Sequence, residues 1–312
     1  MQLLRTYHSS PPHLHHAVVA IGNFDGVHRG HYALLMEAKA VAAAKCVPWM
    51  VMTFHPHPRH YFMPDVAPFA LESFAMRLRR LRNMNPDGVL VMRFNAAMAA
   101  MRAETFVQDV LVGQMRISHV VVGEDFCYGA RREGNVNTLQ QAARLHQFGC
   151  TYLPPVMVEG VAVSSSRIRA LLSEGDMAGA ARLLGRPYSL SGRVQHGNKR
   201  GRELGTPTVN LSLHGLHVPR YGVYAARLHI SDTNVQAVVN IGVRPTFGGD
   251  AEPHLEAHSL QPLPELYGQK LRIELLHFIR NEQRFDNAIA LQAQIKHDIA
   301  CTMQYFTEGR MV

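Results

Sequence analysis

The stretch AVVAIGNFDGVHRGHYALL occupies residues 17–35 and decides how the first half of the chain is read. AVVAI (17–21) is a short continuous apolar run, the pattern of a strand buried on both faces. It gives way to a turn carrying Gly22, Gly26 and Gly30. The alanine-rich segment GHYALLMEAKAVAAAK (30–45) follows, with Leu34, Leu35, Ala38 and Val41 on one helical face. A helix that starts directly behind a strand presents N–H groups without intrahelical acceptors, and its dipole favours negative charge there. Phosphate is a common occupant of such joints. His28 and His31 stand beside glycines that let the backbone approach a ligand, and imidazoles can donate to phosphate oxygens as charge builds on a triphosphate. Zinc is the competing use of two histidines, with no third ligand evident nearby. In a chain holding 19 histidines, a surface turn with incidental ones is the third reading.

Outward from this stretch the alternation continues. PWMVMTF (48–54), GVLVMRF (88–94) and SHVVVG (118–123) read as strands, and the segments around 73–84 and 103–115 read as helices. Asn137 reads as the N-cap of TLQQAARLHQF, with Gly149 just past its end. A β–α alternation of this kind predicts an open, mostly parallel sheet with helices on both faces. Two short helices, 164–175 and 176–185, close this half. From about Pro187 to Arg280 the texture changes to runs of strand type, at 222–230, 235–243 and 269–280, without helices between them. That pattern predicts a compact barrel or sandwich. A final helix over about 284–303 carries Phe285, Ala288, Ile289, Gln292, Ile295 and Ile299 as a mainly apolar stripe. The domain boundary is placed at 185–187.

Composition limits the function classes. The 312 residues are comfortable for two domains, and 47% hydrophobic content supports a substantial core. The formal charge of +8 points to an anionic partner, and it divides as +5 over residues 1–185 and +3 over 186–312, so there is no basic tail. Phosphate-bearing small molecules suit this spread at least as well as nucleic acid. The four cysteines form no CxxC pair, the N-terminus lacks the apolar core of a signal peptide, and no stretch approaches a membrane span. The expectation is a cytoplasmic protein in a reducing compartment, with no membrane partner.

Two further constellations are candidates for phosphate on the same physical grounds; taken alone, the first also reads as ordinary serine helix caps and the second as a basic glycine-rich hairpin that merely turns. VSSSRIRALL places Ser164, Ser165 and Ser166 at a helix start and adds Arg167 and Arg169, a set of hydroxyls and guanidinium groups suited to a phosphate clamp. GRVQHGNKRGRELGTPTVNL (192–211) sets Gly197, Gly201 and Gly205 among Lys199, Arg200 and Arg202, a candidate backbone cradle that lacks the GK[ST] ending of a P-loop. Thr208 and Asn210 alternate along a short strand, so both oxygens face one side, as hard ligands for Mg²⁺ beside a nucleotide would. Other features carry less. FHPHPRHYFM (54–63) invites a metal but its prolines and irregular spacing read better as a loop, and RLRRLR (77–82) reads as a solvated helix face.

GVHRGH resembles the HxGH-type signature of the nucleotidyltransferase superfamily, and SSSRIR resembles its SSTxxR partner. The wider run IGNFDGVHRGH, TFHPHP, VVVGEDFCYG and VSSSRIR is similar to the bacterial bifunctional riboflavin kinase/FMN adenylyltransferases, or FAD synthetases. In the second half GTPTVN resembles the GxPTAN motif of riboflavin kinases, and GVYAARL, NIGVRPTFGG and LEAHSL match later blocks in order. His55 stands where that family more often has glutamate, and Thr206 where an aromatic is common.

The resemblance implies a Rossmann-like α/β nucleotidyltransferase domain over 1–185. It implies a mainly β, Greek-key-barrel riboflavin kinase domain over 187–312 with a C-terminal helix. It implies ATP-dependent phosphorylation of riboflavin to FMN, then adenylylation of FMN to FAD with release of pyrophosphate, each step with Mg²⁺. By the same likeness His28 and His31 contact ATP phosphates at a turn that includes Gly22, Asn23, Gly26 and Gly30. Ser165 and Arg169 hold the β- and γ-phosphates, Ser164 beside them belongs to the phosphate-binding set, and Asn23 and Asp125 help place nucleotide or metal. In the second half Thr208 and Asn210 belong to the Mg²⁺–ATP site and Glu256 is the general base. The rivals are an enzyme with one live module and, well behind, a nucleic-acid binder, for which the barrel stretch lacks a run of aromatics for base stacking.

Overall fold

The computed structural model describes residues 1–8, 10–195, 208–230, 233–245 and 251–309. The chain divides into two units, residues 1–66 with 74–164, and residues 67–73 with 165–312.

The first unit is built on a six-stranded sheet. Its strands are β1 (Gln2–Leu4), β2 (Val18–Ile21), β3 (Trp49–His55), β4 (Gly88–Arg93), β5 (His119–Gly123) and, after two short strands β6 (Cys127–Tyr128) and β7 (Gly134–Asn135), β8 (Gly149–Leu153). Their order is β1-β4-β3-β2-β5-β8 and every pairing is parallel. The quoted stretch behaves as its composition demands. Val19 and Ile21 join one apolar cluster and Val18 and Ala20 the other, so β2 is buried on both faces. Helix α1 (Arg29–Lys45) covers one face with Leu34, Leu35, Ala38 and Ala42. On that face α3 (Phe74–Asn83), which follows the short α2 (Pro58–Phe62), contributes Leu81. The opposite face is covered by a π-helical segment, Phe106–Gln114, that follows the short helices α4 (Ala96–Ala100) and α5 (Ala103–Thr105), and by α6 (Val136–His146). Burying each of the Leu, Ile, Val and Phe side chains among these stabilises the unit by roughly 1.5–3 kcal/mol.

The cap of α6 differs from expectation. Asn135, not Asn137, caps it: Asn135 Oδ1 accepts the Thr138 N–H at 3.1 Å and Thr138 Oγ1 accepts the Asn135 N–H at 2.9 Å. This reciprocal pair satisfies two N-terminal donors, which outweighs the single bond available from Asn137. Gly149 opens β8 instead of ending the helix.

After a two-strand ribbon of β9 (Met157–Val158) and β10 (Val161–Ala162), the second unit takes α7 (Ser165–Glu174) and α8 (Met177–Leu184). Its sheet holds β11 (Tyr188–Arg193), β12 (Thr208–Ser212), β13 (Gly222–Ile230), β14 (Thr233–Pro245), β15 (Ala251–Ser259) and β16 (Lys270–Asn281) in the order β11-β16-β13-β14-β15-β12. Every pairing is antiparallel. The sheet curls until its two edges meet, where the Gln195 N–H donates to Asn210 O at 2.9 Å in an antiparallel bridge. Closure of this kind removes exposed edges.

The final helix α9 (Ala288–Thr307) begins later than the sequence pattern predicts, because Asn287 Oδ1 accepts the Ala290 N–H at 2.9 Å as its cap. The predicted apolar stripe is not its buried side: Ile289 is 79% exposed, and the buried positions are Asp298 and Thr302. A two-pronged ion pair explains the difference. Arg280 Nε and Nη2 on β16 donate to Asp298 Oδ1 and Oδ2 at 2.8 and 2.7 Å, and this pair turns a polar face inward.

Candidate functional site

The strand order of the first unit reverses direction between β2 and β5, and ligands of open parallel sheets bind at the carboxyl ends of strands at such a point. The turn Gly22–His28 leaves β2 there, and Asp125 follows β5 on the adjacent strand. The turn is backbone-strained. Phe24 has φ 52° and the β-branched Val27 has φ 35°, flanking Gly26 at φ 80°. Positive φ at a β-branched residue is rare and persists only where the surroundings enforce it.

Those surroundings are visible. The carbonyl of Asn23 accepts from Thr53 Oγ1 at 3.2 Å and from Arg77 Nη1 at 3.0 Å. Arg77 is 3% exposed, so RLRRLR is not wholly a solvated face. Its guanidinium also lies 5.8 Å from the Phe74 ring centre. The charge of a buried guanidinium thus sits behind the Asn23 peptide.

At the start of α1, His28 is the cap. Its Nδ1 accepts the His31 N–H at 3.3 Å, and the two rings stack with centroids 3.6 Å apart. With Nδ1 accepting, the proton of the neutral His28 ring is carried by Nε2. Phe24 abuts His31 edge-on at 5.3 Å. A Cβ on Gly30 would come within 3.2 Å of the His28 ring, so glycine there lets the imidazole lie flat against the helix start. Gly22 likewise leaves room for the Phe24 ring, 3.1 Å from where a Cβ would be. The structure therefore brings Gly22, Asn23, Gly26, His28, Gly30 and His31 to one strand–helix joint.

Asp125 folds back over Gly123, with Oδ1 2.9 Å from the position of an added Cβ. Arg132 lies beside it; contact with Cys127 first, and the charge of Asp125 more weakly, favour its protonated form. The histidine-rich segment 54–63 is not a loop throughout. β3 runs on to His55, and α2 starts at Pro58 with His57 Nδ1 accepting the Arg59 N–H at 3.1 Å. Proline suits the first turn of a helix, where its missing N–H costs nothing. His55 stacks on Phe74 at 4.0 Å, and burial, followed by the nearby Arg77 charge, holds its pKa below the ordinary value.

Sequence reasoning missed an aromatic cluster at the same carboxyl edge. Tyr61 and Phe62 on α2 meet Phe94, which follows β4, at 5.5 and 5.6 Å, and Phe62 is 60% exposed. Nothing local marks this cluster, since it assembles only when β3 and β4 pair.

In the second unit, Arg169 on α7 donates through Nε to Phe69 O at 2.6 Å and through Nη1 to Ser166 Oγ at 3.5 Å. Ser165 opens the helix, and Ser164 precedes it as the last residue of the first unit.

On the barrel, Asn210 pairs directly with Glu256 across β12 and β15, and Glu256 pairs with Asn240 on β14. Thr208 pairs with His258 and Ser212 with His254 in the flanking rows. Directly opposed residues share a face, so these polar side chains stand together while Val209, Leu211, Leu255 and Ala257 fill the core behind them. Asn210 is 3% exposed. Burial lowers the His258 pKa, which keeps that ring neutral beside Thr208. The oxygens of Thr208 and Asn210 are hard donors of the type Mg²⁺ takes, and the Glu256 carboxylate stands in the Asn210 row beside them. Gly197, Lys199, Gly201 and Gly205, predicted as a phosphate cradle, and Thr206 lie outside the described residues.

Two family models match along the chain. Residues 10–167 match the FAD synthetase family model and residues 184–306 the riboflavin kinase model. The chain is 40% identical to a bifunctional riboflavin kinase/FMN adenylyltransferase of Pseudomonas fluorescens, over 96% of both chains. It is 40% identical to the protein of that description from Escherichia coli K12, over 98% of both. The Haemophilus influenzae relative is 35% identical over 98% of this chain and 99% of its own. Among solved structures, a Streptococcus pneumoniae chain described as a macrolide-efflux protein superimposes with TM-score 0.85 at 28% identity, covering 97% of this chain and 99% of that one.

Proposed function

The chain belongs to the bifunctional riboflavin kinase/FMN adenylyltransferase family, and on that premise we propose how its residues divide two ATP-dependent reactions. The enzyme phosphorylates riboflavin to FMN and then adenylylates FMN to FAD.

Residues 187–312 carry the first step. The ribityl 5′-hydroxyl oxygen attacks the γ-phosphorus of ATP, the bond from that phosphorus to the bridging oxygen breaks, and ADP leaves. Glu256 takes the hydroxyl proton. A carboxylate suits this task because phosphoryl transfer through a loose transition state asks for positioning and proton acceptance more than for a strong base. Thr208 and Asn210 would hold Mg²⁺, which when bound with ATP offsets the phosphate charge. Gly197, Lys199, Gly201 and Gly205 supply the phosphate cradle.

Residues 1–185 carry the second step. An FMN phosphate oxygen attacks the α-phosphorus of the second ATP, the α–β bridging bond breaks, and pyrophosphate leaves. No enzyme nucleophile is required. His28, through Nε2–H, and His31 stabilise the charge that develops on the phosphates, at a turn whose Gly22, Gly26 and Gly30 admit close approach. Ser164, Ser165 and Arg169 bind the β- and γ-phosphates, and Asn23 and Asp125 place nucleotide or metal. Tyr61, Phe62 and Phe94 offer an apolar aromatic cluster, its rings packed edge to face, against which an isoalloxazine ring can stack. ATP and flavins as substrates support a cytoplasmic setting as part of this proposal. Among the described residues no helix is long and apolar enough to cross a membrane.

The row Asn210–Glu256–Asn240 supports this reading most directly, because it sets the carboxylate proposed as general base directly opposite one of the two proposed metal ligands. The test is incubation of the purified protein with riboflavin, ATP and Mg²⁺, followed by chromatography of the flavins. Both FMN and FAD are expected. FMN alone means a single live module, and neither product overturns the reading.

A further inference from the structure

The kinase face holds a second carboxylate. Gly242 on β14 pairs with His254, one same-face step along the sheet from the Asn240–Glu256 pair. A Cβ built on Gly242 therefore projects from the face that bears Glu256. It would lie 3.2 Å from Oε2 and 2.8 Å from Cδ of Glu282, and closer still to Oε1. The Glu282 carboxylate thus occupies the space that a side chain at position 242 would need.

Its backbone is anchored. Glu282 immediately follows β16, whose last residue, Asn281, pairs with Gly222, and Gly222 also pairs with Ile241 beside Gly242. The neighbouring cations are engaged elsewhere: Arg280 holds Asp298, and Arg220 Nε donates to Asn281 Oδ1 at 2.9 Å. Among the described residues no cation pairs with Glu282, which is exposed.

Direction along the strands says what this carboxylate can meet. From Glu256, the row Thr208–His258 lies one way and the row Ser212–His254–Gly242 the other. The proposed metal and triphosphate side is that of Thr208, so Glu282 sits on the opposite side, where the acceptor alcohol must extend away from the transferred phosphorus. One same-face step is roughly 6–7 Å, an interval that a five-carbon polyol bridges. The geometry points to Glu282 as a specificity-determining residue that accepts hydrogen bonds from the inner hydroxyls of the ribityl chain while Glu256 handles the terminal one. This assignment rests on the riboflavin kinase reading.

The test compares wild type, Glu282→Gln and Gly242→Ala, with riboflavin and with a flavin whose side chain is an unsubstituted 5-hydroxypentyl group. Hydrogen bonds to a charged acceptor predict a rise of about tenfold or more in the riboflavin KM of Glu282→Gln. The KM for ATP and the rate of FAD formation from supplied FMN stay at wild-type levels. With the hydroxypentyl flavin, wild type and Glu282→Gln become equal, which a merely structural role would not produce. Gly242→Ala reproduces the riboflavin effect by displacing the carboxylate; if it fails to fold, Glu282→Gln decides. An unchanged riboflavin KM, a changed ATP KM, or an equal penalty on both flavins overturns the assignment. Wild-type protein that makes no FMN overturns the kinase reading itself and this assignment with it.

Discussion

Asn210 and Glu256 are direct partners across two antiparallel strands, so a buried amide and the proposed general base are held on one face by the register of the sheet. Neither loop closure nor a helix is needed to bring them together. Glu256→Gln keeps the shape and removes the proton acceptor, and a positioned general base contributes about 10²–10⁴-fold in rate. Riboflavin phosphorylation should fall by that order while FAD formation from supplied FMN continues, as separate assays of the two products will read.

His28 caps α1 through Nδ1, and its Nε2–H is the donor proposed for phosphate. His28→Ala should lower FAD formation by about 10²–10³-fold, the cost of removing one aimed donor from a charge-stabilising site, and spare FMN formation. His28→Asn retains an acceptor for the helix cap, so a comparable loss in that variant assigns the effect to chemistry instead of helix stability.

Phe62 is exposed and packs against Phe94 at the carboxyl edge of the parallel sheet. Phe62→Ala should raise the FMN KM of the adenylylation step up to roughly tenfold, the worth of one aromatic stacking contact. Phe62→Tyr should restore it. An FMN KM that Phe62→Ala leaves unchanged would detach this cluster from flavin binding.

His119 gives the first unit a stability that depends on pH. Burial, and then the charge of Lys45, hold its pKa below the ordinary 6.5, while Nε2 meets Thr151 Oγ1 at 2.8 Å. The unfolded chain therefore binds a proton at a pH where the folded one does not. The contribution is fully present above pH 6.5 and is lost as pH falls from there toward the depressed folded value. Urea denaturation from pH 7.5 downward should show the decline, and His119→Asn should flatten it.

Asp298 is buried beneath Arg280 with both carboxylate oxygens engaged. Asp298→Ala strands a guanidinium and should destabilise the second unit by about 3–5 kcal/mol. The double change Arg280→Met with Asp298→Leu should cost much less, because two apolar groups replace a pair whose desolvation is expensive. Thermal melts of the three variants will separate the pair's net worth from the penalty of breaking it.

Local pattern carried much of this protein. The run 17–21 is apolar at every position, the pattern of a strand buried on both faces, and it is buried on both; the glycines and histidines behind it raise phosphate binding as one reading of the joint before any fold is known. Thr208 and Asn210 were legible as same-face oxygens from the two-residue period of a strand. Tertiary structure alone decided the rest. Glu256 owes its place to pairing with Asn210 and Asn240, Phe62 and Phe94 meet because β3 and β4 are neighbours, and Glu282 lies on Gly242 because β13 and β14 bring β16's end beside it. The apolar stripe read on the last helix was overridden in the same way, by an ion pair between Asp298 of that helix and Arg280 of β16. Periodicity reports which way a side chain leaves its own element. Which groups it then faces depends on strand order and register, and those are set by the packing of residues far apart in the chain.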